Sequence, residues 1–133
     1  MLFRSGQDIY GQRLGGYGGL IGVNFRISGT SATSDEVWAA VAWIETANRY
    51  LVTWQDYRNL GGARLADIYG QRLGAYGGAI DLNFRISGAD ATFDDWYPGV
   101  SCSAAENQCL VAWQDHRSEG SRGWDIYGQR VSG

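Results

Sequence analysis

The hexapeptide DIYGQR stands at residues 8–13, returns at 67–72 and is spelled a third time at 125–130. The offsets between copies are 59 and 58 residues. Neighbouring pieces recur in the same phase. NFRISG lies at 24–29 and 83–88, QRLGGYGG at 12–19 answers QRLGAYGG at 71–78, and YLVTWQDYR at 50–58 matches CLVAWQDHR at 109–117. Self-similarity at a fixed period of this length marks a modular fold.

Each period holds four short runs, named here A (WAAVAW, YPGVSC), B (YLVTWQD, CLVAWQD), C (DIYGQRL) and D (NFRIS). They are rich in Val, Ile, Tyr, Trp and Phe and bounded by Gly, Asn, Asp and Ser, which predicts strands joined by turns. Helical periodicity is absent, and the Gly-rich connections interrupt any long helix. Four antiparallel strands with aromatic residues on both faces fit one blade of a β-propeller. Run A is made of small residues (Ala39, Ala40, Val41, Ala42; Gly99, Val100, Ser101), as the crowded innermost strand of a blade requires. Within C, alternation puts Asp67, Tyr69 and Gln71 on one face and Ile68, Gly70 and Arg72 on the other. Gly70 makes room for a bulky neighbour, for which a Trp is the expectation.

The expected fold is therefore all-β, a propeller of four-stranded antiparallel blades with about two blades in the chain. Strands C-D occupy 8–28, a blade 29–88 and an incomplete blade 89–133. Two blades close no ring, and an isolated pair leaves aromatic faces and strand edges in water. The expected partner is the chain itself, three copies giving six blades or four giving eight, with the N-terminal C-D hairpin completing a neighbour's last blade by strand exchange.

Aligning the periods sets Cys102 over Trp43 and Cys109 over Tyr50. The first pair would face each other across the A–B hairpin, and opposed residues on antiparallel strands lie within disulfide reach. A Cys102–Cys109 disulfide is expected, and with it an oxidising, extracellular or periplasmic setting. Two Cys and one His form no zinc ligand set. No run approaches the ~18 apolar residues that span a bilayer. The opening MLFRSGQDIY carries no signal-peptide core, which reads as a fragment or a short frame rather than a complete secreted precursor. The net charge is −3 without a basic cluster, so nucleic acid and anionic membranes are poor partners. All 11 basic residues are Arg, suited to fixed ion pairs with carboxylates.

The pattern YLVTWQDYR…DIYGQRLG…NFRISG resembles repeats of large secreted bacterial β-propeller proteins, of TolB-like or generic blade type. The resemblance covers nearly the whole chain and implies blade architecture, not an activity. The subunit plan is similar to that of bacterial fucose-binding lectins, whose two-bladed chains trimerise into six-bladed rings. Their sugar-binding motifs have no residue-by-residue match here.

Three functions fit these residues. The first is a ring-forming module that binds carbohydrate or another polar ligand through inter-blade aromatic pockets, using Trp38, Trp96, Tyr97 and Trp124 with Arg58 and Arg117. The second is a metal-dependent hydrolase of esters, lactones or phosphotriesters. There Asp35–Glu36 and Asp94–Asp95, placed just before run A, would ring the channel mouth and hold Ca²⁺ or another divalent cation as the cofactor. His116 beside Asp115 is its candidate base. The third is an assembly scaffold without activity. For the acidic pairs the competing structural role is turn capping and pairing with Arg.

Overall fold

A computed structural model of the chain describes residues 6–29, 34–58, 65–88, 93–117, 120–121 and 123–133. The described residues form nine strands: β1 (Tyr10–Leu14), β2 (Leu20–Arg26), β3 (Glu36–Ile44), β4 (Arg49–Asp56), β5 (Asp67–Gly74), β6 (Ala79–Arg85), β7 (Asp95–Cys102), β8 (Gln108–Asp115) and β9 (Asp125–Ser132). They build three antiparallel sheets in the orders β1-β2, β3-β4-β5-β6 and β7-β8-β9. The fold is all-β, with the nine runs grouped two, four and three as the repeat phase requires. The expected divisions near residues 29 and 89 adjoin segments 30–33 and 89–92, which lie outside the described residues.

The three copies of the hexapeptide are β1 with the two residues before it, β5 and β9. Five of its six letters have a task. Asp8 and Asp67 pair with Arg26 and Arg85 on the adjoining D strand. The Ile9 and Ile68 amides donate to Ser28 Oγ (3.1 Å) and Ser87 Oγ (3.0 Å). Tyr69 and Tyr127 lie under the guanidinium groups of Arg58 (4.2 Å) and Arg117 (3.8 Å). A Cβ added at Gly70 would come within 2.8 Å of Ile86 Cδ1. The bulky neighbour is thus an isoleucine just past β6, not the expected tryptophan. Gln71 Nε2 donates to the Ile80 carbonyl at 2.9 Å, where the β5–β6 register slips between Gly70 and Arg72.

That slip explains why the D strands run differently from expectation. They begin at Leu20 and Ala79 and end at Arg26 and Arg85, before the ISG of the NFRISG repeat. Gly22 and Asp81 sit at φ 68° and 57°, left-handed positions inside the strands that break the alternation a sequence pattern relies on. The A strands start earlier too, taking in Glu36 and Asp95.

The middle strands of the second sheet, β4 and β5, are buried on both faces. Val52, Trp54 and Leu73 pack with Ile9 and Ile27 of the first sheet. Leu51, Ile68 and Ile86 pack with Val111, Trp113 and Val131 of the third. Burying such a side chain stabilises by roughly 1.5–3 kcal/mol. β3 lies against β7, so the small residues of run A meet where the sheets come closest.

Trp43 opposes Tyr50 across β3–β4, with ring centroids 4.6 Å apart. At the matching positions of β7–β8, Cys102 and Cys109 form a disulfide. The bridge closes a short hairpin loop, for which chain entropy gives about 2 kcal/mol. Cys102→Ala with Cys109→Ala is therefore expected to lower unfolding stability by about 2 kcal/mol, measured by urea titration. An unchanged midpoint would show that the hairpin does not depend on the bond.

Candidate functional site

Where β3 and β7 open, side chains of the second and third sheets meet. Trp38 is 61% exposed and stands edge-on to Tyr97 at 5.1 Å between centroids. Tyr97 contacts Trp96 (6.1 Å), and Trp96 contacts Trp124 (4.7 Å) and the buried His116 ring (5.0 Å). All four aromatic residues expected to bind ligand thus form one continuous ledge, with His116 packed into it.

The ledge is built by two bulges. The β3–β4 register slips between Val37 and Ala40, and the β7–β8 register between Trp96 and Gly99. At these slips Trp38 and Tyr97 take φ 57° and 56°, the left-handed region that bulky residues rarely enter. A bulge re-aims the side chain it carries, here turning two aromatic rings outward and edge to face. The Tyr97 amide donates to Gln55 Oε1 (3.3 Å), and Gln55 Nε2 donates to Tyr57 Oη (2.6 Å). Burial raises the Tyr57 phenol above its ordinary value, and Asp94, Tyr97 and Asp35 around it act in the same direction. Gln55 and Tyr57 were not singled out from sequence. Their signal was present, since they align with Gln114 and His116.

The two arginines stand apart from the ledge. Arg58 folds back on Asp56, with Nε to Oδ1 at 2.9 Å and Nη2 to Oδ2 at 2.6 Å, and donates to Asn83 Oδ1 at 2.8 Å. Arg117 likewise grips Asp115 through Nε (2.9 Å to each oxygen) and through its own backbone amide (2.8 Å). Asp115 is held below its usual range by these bonds against the opposing pull of burial. Both its oxygens accept from Arg117, while the His116 ring packs against Trp96 and Trp124.

The acidic pairs do structural work in both periods. Asp35 Oδ1 accepts from the Gln7 amide (3.0 Å) while the Glu36 amide donates to the Gln7 carbonyl (2.7 Å). Asp94 Oδ1 and the Asp95 amide hold Ala66 in the same way (2.8 Å each). Each pair therefore ties the start of an A strand to the segment leading into strand C of the preceding sheet. Glu36 and Asp95 are buried in rows across the sheets, Glu36 opposite Asp56 and Asp95 opposite Asp115. Among the described residues no group of three or more His, Cys, Asp or Glu is arranged to hold a metal ion.

Burial, with Asp56 and Asp8 adding to it against Ser28 and Arg58, pushes Glu36 up to about 7. Burial and the Asp115 carboxylate likewise push Asp95 up to about 7, against hydrogen bonds from Ser87 and Trp113. Asp95 is the protonated member of its pair and Asp115 the ionised one. The two sheets solve the same problem with different hydrogen bonds: Trp54 Nε1 donates to Asp56 (2.8 Å), whereas Trp113 Nε1 donates to Asp95 (2.9 Å).

No protein family, curated protein or solved structure matches this chain. The site is read from its own geometry.

A raised carboxyl pKa means that folding takes up a proton. The stability this gives is complete below the ordinary carboxylate range and is lost as pH rises through about 7. Asp115 acts oppositely, its contribution being lost only as pH falls below that range. The urea midpoint is expected to fall between about pH 5 and about pH 8. Glu36→Gln and Asp95→Asn should each flatten that slope and raise the midpoint at the alkaline end. A midpoint constant across the window would contradict the protonated state of both groups.

Proposed function

We propose that the chain is a binding module built of β-propeller blades, holding a carbohydrate on the aromatic ledge between its second and third sheets. The observation that carries this reading is the continuity of Trp38, Tyr97, Trp96 and Trp124. The exposed rings of Trp38, Tyr97 and Trp124, set at steep angles to one another around the half-buried Trp96, offer apolar faces to the C–H faces of a sugar. The Tyr57 hydroxyl lies close by for its polar groups. Binding sites combine such apolar surface with a few placed polar groups.

The blade reading draws support from the stacking of three antiparallel sheets, with the small-residue edge strands β3 and β7 adjacent. The setting proposed is extracellular or periplasmic. A disulfide is compatible with it, and among the described residues no helix is long and apolar enough to cross a membrane.

A glycan array followed by calorimetry on the best ligand tests the proposal. Trp38→Ala and Tyr97→Ala are each expected to weaken that ligand about tenfold, or ~1.4 kcal/mol. Tyr76→Ala, an exposed ring on the β5–β6 turn, should leave binding unchanged. A blank across diverse glycans ends the sugar reading, and equal losses from all three variants would detach it from the ledge.

A further inference from the structure

Two surfaces of this molecule are halves of a contact it already makes internally. Leu51 and Ile68 of the second sheet are fully buried beneath the third. Their counterparts on the third sheet, Leu110 and Ile126, are 56% and 71% exposed. At the other end, Leu73 is buried against the first sheet while its counterpart Leu14 is exposed. Beside β1, where β4 and β3 flank β5 in the complete sheet, lies a groove of about 480 Å³. It is lined by Tyr10, Gln12 and Leu14 of β1 and by Ala40, Val41 and Val52. Among the described residues β1 pairs on one edge only, with β2. By analogy with the second sheet, the free edge of β1 is where an A–B hairpin would pair.

The third sheet carries such a hairpin, β7–β8, and β8 is edged by β9. β9 and β1 share the hexapeptide, so both present the same backbone and side chains to β8. They are unequal in one respect. β1 comes with β2, which supplies Arg26 to Asp8, the Ile21 carbonyl to Gln12 Nε2 (3.2 Å) and the Ile27 amide to the Ile9 carbonyl (2.7 Å). In the third sheet Gln129 Nε2 keeps the bond to the carbonyl of the following residue, Arg130, as Gln12 does to Arg13, but has no D strand to reach, and among the described residues no arginine pairs with Asp125.

We propose that β1–β2 of one copy displaces β9 from β8 of another, giving a complete four-stranded sheet shared between two chains. This rests on reading the sheets as blades, not on the sugar reading of the ledge. Strand pairing is nearly even across the exchange, because one hexapeptide replaces another. The gain is burial: β7–β8 fills the groove beside the neighbour's β1, and Leu110 passes under the neighbour's β3–β4 as Leu51 lies under β7–β8. Each copy then contributes two whole sheets, and the contact is head-to-tail, so copies close into a ring once the rotation completes a turn.

The register gives the test. Leu110 pairs with Arg130 within the chain, and the position of Arg130 is taken by Arg13 after exchange. Leu110→Cys with Arg130→Cys should lock β9 in place and leave a 14.6 kDa monomer by native mass spectrometry under oxidising conditions. Under the same conditions the unmodified chain should give one discrete multiple of that mass. Leu110→Cys with Arg13→Cys should give covalently linked copies on a non-reducing gel. A monomeric unmodified chain at high concentration, or a locked variant that assembles like the parent, would overturn the proposal. Glycan binding measured on the locked monomer separates this outcome from the fate of the ledge, which lies within one chain.

Discussion

The structure depends on the stacking of sheet on sheet. A four-stranded sheet of this composition carries large apolar side chains on both faces, and β4 makes the constraint visible. From Leu51 to Asp56 every residue is buried, those of one face under the first sheet and those of the other under the third. No turn or hydrogen bond within the sheet could shield two faces at once. The neighbours that do so are further copies of the same module, which is why the sequence repeats and why the repeat unit cannot stand alone.

Stacking also decides which parts of the fold are legible in the chain. Run B and the β5 and β9 copies of run C are rich in strand-forming residues between clear turn signals, and their strands fall where the pattern puts them. Cys102–Cys109 could be read because a cross-strand pair in one period, Trp43–Tyr50, fixes the geometry of its counterpart in the next. Run D was legible only at its C-terminal end. Leu20–Asn24 and Ala79–Asn83 hide their strand character behind a left-handed residue, and a glycine at 22 offers no contrast with an aspartate at 81. The neighbour of Gly70 was misjudged for a related reason. The close approach comes from Ile86, across the hairpin end of its own sheet, and not from an aromatic ring.

The ledge was half legible. Its four aromatic residues could be picked out by alignment, yet nothing in the letters announces that Trp38 and Tyr97 lie at bulges. Both bulges use a bulky residue at positive φ where glycine would be expected, a local cost of order 1–3 kcal/mol. Arg58 and Arg117, expected at the ligand from the strand exits WQDYR and WQDHR, bond Asp56 and Asp115. An Arg two residues beyond an Asp, both at the exit of one strand, can close on itself through its backbone amide and its side chain together. That local closure satisfies a buried carboxylate more completely than a distant ligand could.

The buried acids follow from the same economy of satisfied groups. Rows of carboxylates on adjacent strands cannot all be ionised in a site shielded from water. In the third sheet Arg117 neutralises Asp115, leaving Asp95 to keep its proton and accept from the Trp113 indole. In the second, Arg58 bonds Asp56 at 2.6 Å and stays 3.6 Å from Glu36, so the longer acid keeps its proton. One arginine for each pair of acids is the arrangement repeated in both periods. It places a cluster of buried acids and their arginine beneath the strands that carry the aromatic rings. The ledge therefore rests on hydrogen bonds that hold A to B within a sheet and on backbone clasps, through Asp35 and Asp94, that hold one sheet to the next. Removing the Asp94 clasp would loosen the angle between the second and third sheets, and with it the distance between Trp38 and Tyr97, which stand on opposite sides of that junction.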